Sequence, residues 1–173
     1  MINHRIEKIT FEILKKLRIK KVEDINLFRI SENLGIDVKG EDMNSDISGI
    51  FVVKESNAYI RYNNTESEVR QRFTIAHELG HFVLHKDIIP LFIDRDEKIM
   101  YRNSESTTGE IRKEREANSF AASLLMPIDF IKYEINKVPL YEDNVPYLAE
   151  KFKVSEQAMI FRLANLGYDI GYF

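Results

Sequence analysis

The residues best equipped for chemistry lie together at His77-Glu78-Leu79-Gly80-His81. Two histidines four apart share one face of an α-helix, so both imidazoles can reach a single metal ion. The glutamate after the first histidine projects beside that pair, where it can hold a water and take its proton. This is the working arrangement of a zinc-dependent peptidase. The pattern arises by chance in roughly one chain in 200 of this length, and such accidents usually fall on exposed, polar helices. The run from Phe73 to Leu84 is instead apolar around nearly its whole circumference, which marks a buried helix. Buried histidines and a buried glutamate need partners, because unpaired polar groups inside a protein are costly. A metal satisfies all three; carbonyls or carboxylates around two core histidines are the alternative.

A catalytic zinc takes three protein ligands and keeps a fourth position open, so one ligand is missing from this helix. In the variant HExxHxxGxxH, the glycine slot is Leu84 and the last slot is Asp87. Leu84 does not supply the sharp turn that glycine permits. That variant is rejected, although an aspartate ligand leaves Asp87 as an alternative. The other solution is a carboxylate on a later helix, and Glu114 to Leu125 contains the candidate. Ala117, Phe120, Ala121, Leu124 and Leu125 define its inward face. Glu114 lies roughly 60° from the centre of that face and Glu116 roughly 100°, on the other side. Glu114 is the better-placed ligand, with a solvated helix-face charge as the competing reading. Asn118, one turn on, could accept a bond from the free ring N–H of a ligand histidine. His85 could be a fourth metal neighbour, a transition-state hydrogen-bond donor, or a helix-end histidine favoured by the dipole. Tyr101 and Tyr172 are further candidates for that donor.

The elements that must position these groups follow from periodicity and capping. Asn3 to Leu17 has an apolar stripe of Ile6, Ile9, Ile13, Leu14 and Leu17, which predicts an amphipathic helix. A short helix is expected over Asn26 to Leu34, with Gly35 at its C-terminal cap. Ile36-Asp37-Val38 suggests a short strand. Ser48–Val53 and Ala58–Tyr62, joined through Lys54-Glu55-Ser56-Asn57, predict a β-hairpin. Thr65 and Glu68 have capping-box spacing and should open the His77 helix, which runs to about His85 and stops before Pro90. From Lys86 to Gly109 the pattern is weak, and Ser104 to Gly109 suggests a loop. A helix then covers about Ile111 to Met126, ended by Pro127. Val145 to Leu166 predicts two short helices around a tight turn near Lys153-Val154, with Ser155 as N-cap and Gly167 as C-cap.

Composition narrows the setting. At 173 residues and 44% apolar, the chain can bury a real core as one domain, or one with a small appendage. It has no cysteine, which excludes disulfides, cysteine-ligated zinc and thiol nucleophiles and makes a reducing cytoplasm the expected location. No signal-peptide block or apolar run near the ~20 residues of a membrane span is evident. A net charge of -3 and a pI near 5.9 offer no general attraction to nucleic acid.

The segments RFTIAHELGHFVLH and EREANSFAASLLMP together resemble the ImmA/IrrE family of metallo-endopeptidases. The hairpin SGIFVV…AYIRYN and the closing VPYLAEKFKVSEQAMIFRLANLGY are also similar to that family, so the resemblance covers about residues 20 to 168. It implies an α+β fold: a zincin-like core, thermolysin-like at its centre, with a small antiparallel sheet packed on the HExxH helix. A C-terminal helix-turn-helix-like segment would follow, giving a core of 1–135 and an appended 136–173. It implies His77 and His81 as zinc ligands, Glu78 as catalytic base and Glu114 as third ligand. It further implies a bacterial protein that cleaves a helix-turn-helix repressor of a mobile element, prophage or stress regulon. Members often carry a separate N-terminal DNA-binding domain, and this chain is expected to be the compact form.

Other readings stay open. Residues 145–166 have helix-turn-helix spacing, but Lys151, Lys153 and Arg162 are interspersed with Glu150 and Glu156, a thin phosphate-binding surface. A non-catalytic zinc-binding or antitoxin-like regulator is another alternative. Manganese or iron also suits two imidazoles and a carboxylate. If the chain is a peptidase, the strand Gly49–Val53 is expected to pair with the substrate backbone.

Overall fold

The computed structural model describes residues 2–55, 57–85, 91–95, 108–137 and 144–168, with only the backbone path for 91–95. Asp87, Tyr101 and Tyr172, and the start of the loop expected from Ser104, lie outside the described residues. The elements run α1 (His4–Lys16), a 3₁₀ turn (Val22–Asp24), α2 (Leu27–Asn33), β1 (Ile36–Glu41), β2 (Ile47–Lys54), β3 (Asn57–Asn63), α3 (Glu68–His85), β4 (Leu91–Arg95), α4 (Thr108–Leu125), α5 (Ile128–Ile135), α6 (Val145–Phe152) and α7 (Glu156–Asn165). The class is α+β, as expected. Two compact units divide the chain: Leu27–Ala121, and Met1–Asn26 with Ala122–Phe173.

The Leu27–Ala121 unit holds a four-stranded sheet in the order β1-β3-β2-β4. The predicted hairpin is β2–β3, antiparallel and closed by the Lys54–Asn57 pair. One pairing departs from the expected antiparallel sheet: β1 runs parallel to β3, with Ile36 opposite Ala58 and Glu41 opposite Asn63. The chain enters β1 from α2 rather than through a hairpin, so nothing local ties β1 to the opposite direction.

Strand β2 is interior. Phe51 faces Ile60 on β3 and Phe92 on β4. The expectation that Gly49–Val53 offers its edge to a substrate is therefore corrected, because both flanks of β2 carry ladder bonds. The strand that fills the second flank, β4, lay inside the weakly patterned stretch after Lys86 and was not foreseen.

Helix α3 packs on β2 and β3. Phe51, 1% exposed, meets the Phe82 ring edge-on at 5.8 Å. A Cβ on Gly49 would stand 2.4 Å from Thr74 Cγ2 and 3.2 Å from Glu78 Oε1, so only glycine lets β2 lie this close to the helix. The helix start also differs from expectation. It is capped by Ser67, whose Oγ accepts the Arg70 N–H at 3.3 Å. Thr65 instead donates its N–H and hydroxyl to buried Asn63 Oδ1 at 3.1 and 2.7 Å. An Asx-type turn at Asn63 thus outcompetes the predicted capping box.

Helix α4 buries the face expected of it: Ala117, Phe120, Ala121, Leu124 and Leu125 are all 0% exposed. Within the Leu27–Ala121 unit it meets α3 at Gly80. A Cβ there would stand 3.1 Å from each of Ala117 Cα, Ala117 O and Phe120 Cβ.

In the second unit, Asn3 caps α1, and Ile6, Leu14 and Leu17 are buried while Ile9 and Ile13 are partly so. Helix α5 was not predicted: Pro127 ends α4 as expected but directly precedes a new helix. Helices α6 and α7 join through Lys153 in the left-handed region (φ 53°), with Ser155 Oγ accepting the Ala158 N–H at 3.1 Å. Arg162 is buried. It donates to both Glu7 carboxylate oxygens at 2.6 and 3.0 Å and to Met126 O at 3.0 Å. Lys151 pairs with Glu23. Among the described residues, no helix is long and apolar enough to cross a membrane.

Candidate metal centre

Three turns of α3 carry His77, His81 and His85 on one face, and all three are buried, as is Glu78 at 0% exposure. The close approach at Gly80 sets α4 against that face. One turn before Ala117, Glu114 reaches both rings: Oε2 is 3.3 Å from His77 Nε2, and Oε1 is 3.3 Å from His81 Nε2. The two Nε2 atoms are 2.9 Å apart. The structure therefore brings together His77, His81 and Glu114, the trio whose ligand atoms all lie within 4.8 Å of one another.

Asn118 stands where the sequence placed it. Its Oδ1 is 2.9 Å from His77 Nδ1, so the ring nitrogen donates and His77 carries its proton at Nδ1. In the neutral ring, His77 Nε2 is then a bare lone pair aimed at His81 and Glu114. Burial pushes the His81 imidazole down from 6.5 to about 4, against the pull of the Glu114 carboxylate. Burial alone would raise the Glu114 carboxyl, but His77 and His81 outweigh it and bring it from 4.5 down to about 2. At neutral pH the set is thus a neutral imidazole at His81 and an ionised carboxylate, the forms in which these groups ligate metals.

The spacing suits a small divalent ion. A tetrahedral ion with ligand bonds of about 2.0–2.1 Å has ligand–ligand edges of about 3.3 Å. Both His–Glu114 separations already have that length. The 2.9 Å between the rings must open by only about 0.4 Å to reach it. The His77 Nε2 lone pair and the Glu114 carboxylate both face His81 Nε2, an arrangement that a proton or a cation must bridge. The residues present fit a metal.

The family model described as the IrrE N-terminal-like domain, a peptidase family, matches residues 31–164. The chain belongs to this ImmA/IrrE family. The matched span of the IrrE-like chain contains both site helices and the α6–α7 pair, and it makes the protein metallopeptidase-like. No curated protein matches it. A solved structure titled a Mycobacterium tuberculosis transcriptional regulator is similar, with a TM-score of 0.66 and 18% identity over 94% of this chain and 56% of that one. At that identity the likeness speaks to fold. The IrrE-like chain spans little more than half the length of that protein.

Two features of the site escaped the sequence reading. His85 is 4% exposed, with Nε2 3.0 Å from Glu116 Oε2 and Nδ1 3.4 Å from His81 Nδ1. It does stand at the helix end, one of the positions read from the sequence, but buried and paired with Glu116. Glu116, set aside for its angle, also accepts from Arg112 Nε at 3.0 Å, and the His85 bond, opposed by burial and aided by Arg112, holds its carboxyl below the usual range. The signal available was the four-residue step from His81 to His85, which puts a third ring on the same face. Gly80 was the other omission. A glycine on the buried side of a helix signals close backbone approach.

Proposed function

We propose that this IrrE-like chain is a zinc-dependent endopeptidase of the bacterial cytoplasm that cleaves a helix-turn-helix repressor, and so acts as an anti-repressor of a mobile element, prophage or stress regulon. One observation carries the reading: two imidazoles from α3 and a carboxylate from α4 converge beside a fully buried glutamate. His77, His81 and Glu114 hold the ion, and Asn118 fixes the His77 ring. Zinc bound there would lower the pKa of a water and polarise a peptide carbonyl. Glu78 takes the proton from the attacking water on a carboxylate oxygen and returns it to the leaving amine. Gly49 keeps β2 against Glu78, which limits where that carboxylate can swing. With β2 interior, the outer edge of β4 is where a substrate strand would add.

The acidic partners of the C-terminal helices support this reading over direct DNA binding through 145–166. Of Lys151, Lys153 and Arg162, the first pairs with Glu23 and the last is buried against Glu7. That leaves little positive charge for phosphates.

The test is zinc content and cleavage by the full chain, with the helix-turn-helix protein encoded beside it as substrate. Glu78→Gln should keep the zinc and lower cleavage by at least about a hundredfold. Cleavage undiminished in that variant would remove Glu78 from the chemistry. Zinc retention with tight repressor binding but no cleavage would favour a non-catalytic, antitoxin-like regulator. A salt-dependent shift of duplex DNA would favour the DNA-binding alternative.

A further inference from the structure

We infer that Glu116 and His85 form a positioning relay that accepts the His81 proton at Nδ1 when His81 gives its Nε2 to a metal. The inference rests on the proposed metal centre. A histidine can ligate through Nε2 only if that nitrogen is bare, so its proton must be held at Nδ1. For His77, Asn118 Oδ1 does this at 2.9 Å. For His81, the facing group is another imidazole: His85 Nδ1, at 3.4 Å.

With a metal in the site, the two facing Nδ1 atoms share one proton, and two arrangements are open. If His85 Nδ1 carries it, His81 Nδ1 is bare, the neutral His81 ring is protonated at Nε2, and its metal-facing lone pair is gone. If His81 Nδ1 carries it, His85 Nδ1 accepts, and His85 must be protonated at Nε2. Glu116 selects between them. Its Oε2 lies 3.0 Å from His85 Nε2, and a carboxylate only accepts. A neutral His85 therefore carries its proton at Nε2, and its bare Nδ1 can accept from His81 Nδ1 once the metal takes His81 Nε2. The order of donation is His81 to His85 to Glu116.

The helices are built for it. His81 and His85 are one turn apart on α3, and Arg112 and Glu116 are one turn apart on α4. Arg112 Nε donates to Glu116 Oε1 at 3.0 Å and so orients the carboxylate. His85 is 4% exposed, which keeps its ring in register. With Nε2–H turned to Glu116 and Nδ1 turned to His81, His85 has no N–H left for a substrate oxyanion. It is a positioning residue, not a transition-state donor.

The test uses the full chain with ¹⁵N-labelled histidine. Imidazole ¹⁵N shifts should show His85 protonated at Nε2 in the zinc-free protein, where the His81 proton is drawn to Nε2 by His77 Nε2 at 2.9 Å and Glu114 Oε1 at 3.3 Å, and should show His81 protonated at Nδ1 once zinc is added. His85→Leu removes the acceptor for the His81 Nδ1–H. Zinc affinity, by competition with a chelator, should fall by about ten- to a hundredfold. His85→Gln, whose side-chain oxygen can accept, should recover much of it. Glu116→Leu, on a partly exposed part of α4, should release His85 to a mixture of tautomers and lower zinc affinity even if His85→Leu fails to fold. Unchanged zinc affinity in His85→Leu and Glu116→Leu would overturn the relay while leaving the metal centre standing. Equal losses in His85→Leu and His85→Gln would reduce His85 to packing and overturn it as well. If the wild-type chain binds no zinc, the proposed function falls, and the His85 tautomer of the zinc-free chain still decides whether Glu116 orients His85.

Discussion

Replacing Gly80 by alanine should separate two quantities that usually move together, stability and metal affinity. An alanine Cβ at this position would meet Ala117 Cα, Ala117 O and Phe120 Cβ, each at 3.1 Å. Comfortable contact between such atoms needs about 3.5–4.0 Å, so α3 and α4 must part by about half an ångström. Two of the three obstacles are backbone atoms, which cannot rotate aside. Overpacking of this kind costs about 1–3 kcal/mol. Alanine also returns about 1 kcal/mol through helix propensity. The net loss of stability is small, about 0–2 kcal/mol.

The metal centre has no such offset. Glu114 is one turn from Ala117 on the displaced helix, and its two 3.3 Å separations from the rings set the size of the site. Metal–ligand distances tolerate about 0.2 Å, well under the expected displacement. Zinc affinity should fall by about tenfold or more, with the fold largely intact. Chemical denaturation of the zinc-free protein gives the first quantity, and chelator competition the second. The reasoning is refuted if Gly80→Ala binds zinc as the wild type does, or if it gains the full propensity increment in stability. Either result would mean that the helix contact does not set the spacing of the ligands.

Removing the third ligand, Glu114→Ala, should weaken zinc binding more than Gly80→Ala does, while His77 and His81 remain on one face; equal affinities by chelator competition would count against Glu114 as a ligand. In the zinc-free protein, His81 drops from 6.5 unfolded to about 4 folded, so the unfolded state binds the extra proton between those values. Stability is full above pH 6.5 and is lost as pH falls towards 4, by on the order of 3 kcal/mol. Glu114, lowered to about 2, adds a second loss as pH falls from 4.5. Denaturation midpoints that stay flat between pH 7 and 4 would contradict the burial of a neutral His81. Arg162→Ala should destabilise by about 3–5 kcal/mol, because it leaves the Glu7 carboxylate with the Ser123 hydroxyl but without its opposite charge. Urea midpoints measure this, and a loss under about 1 kcal/mol would place the pair among weak surface bridges.

What the sequence made legible was whatever periodicity and local caps encode. The inward face of α4, the β2–β3 hairpin and the α6–α7 turn all follow from spacing within one segment, and each is where the residues predict. Glu114 was also readable, because a helical angle from an apolar face is a local quantity. What failed was pairing at long range. The direction of β1, the placement of β4 beside β2 and the cap at Ser67 depend on neighbours distant in sequence or on a turn competing for the same groups.

The site shows the same division at finer grain, and shows why an angle is not enough. Glu114 and Glu116 flank the apolar centre of one helix on opposite sides, and angle alone ranked the first above the second as a ligand. Yet α3 presents a row of three rings rather than a point, so a carboxylate off the central axis still finds an imidazole, His85, further along the row. The length of the histidine face therefore recruits the second carboxylate. A chain ending its motif at His81 would leave that ring's Nδ1 to whatever else packs there. The extra turn to His85 and the second acidic residue on α4 are best understood as one device, and their loss should be felt at His81 rather than at the substrate.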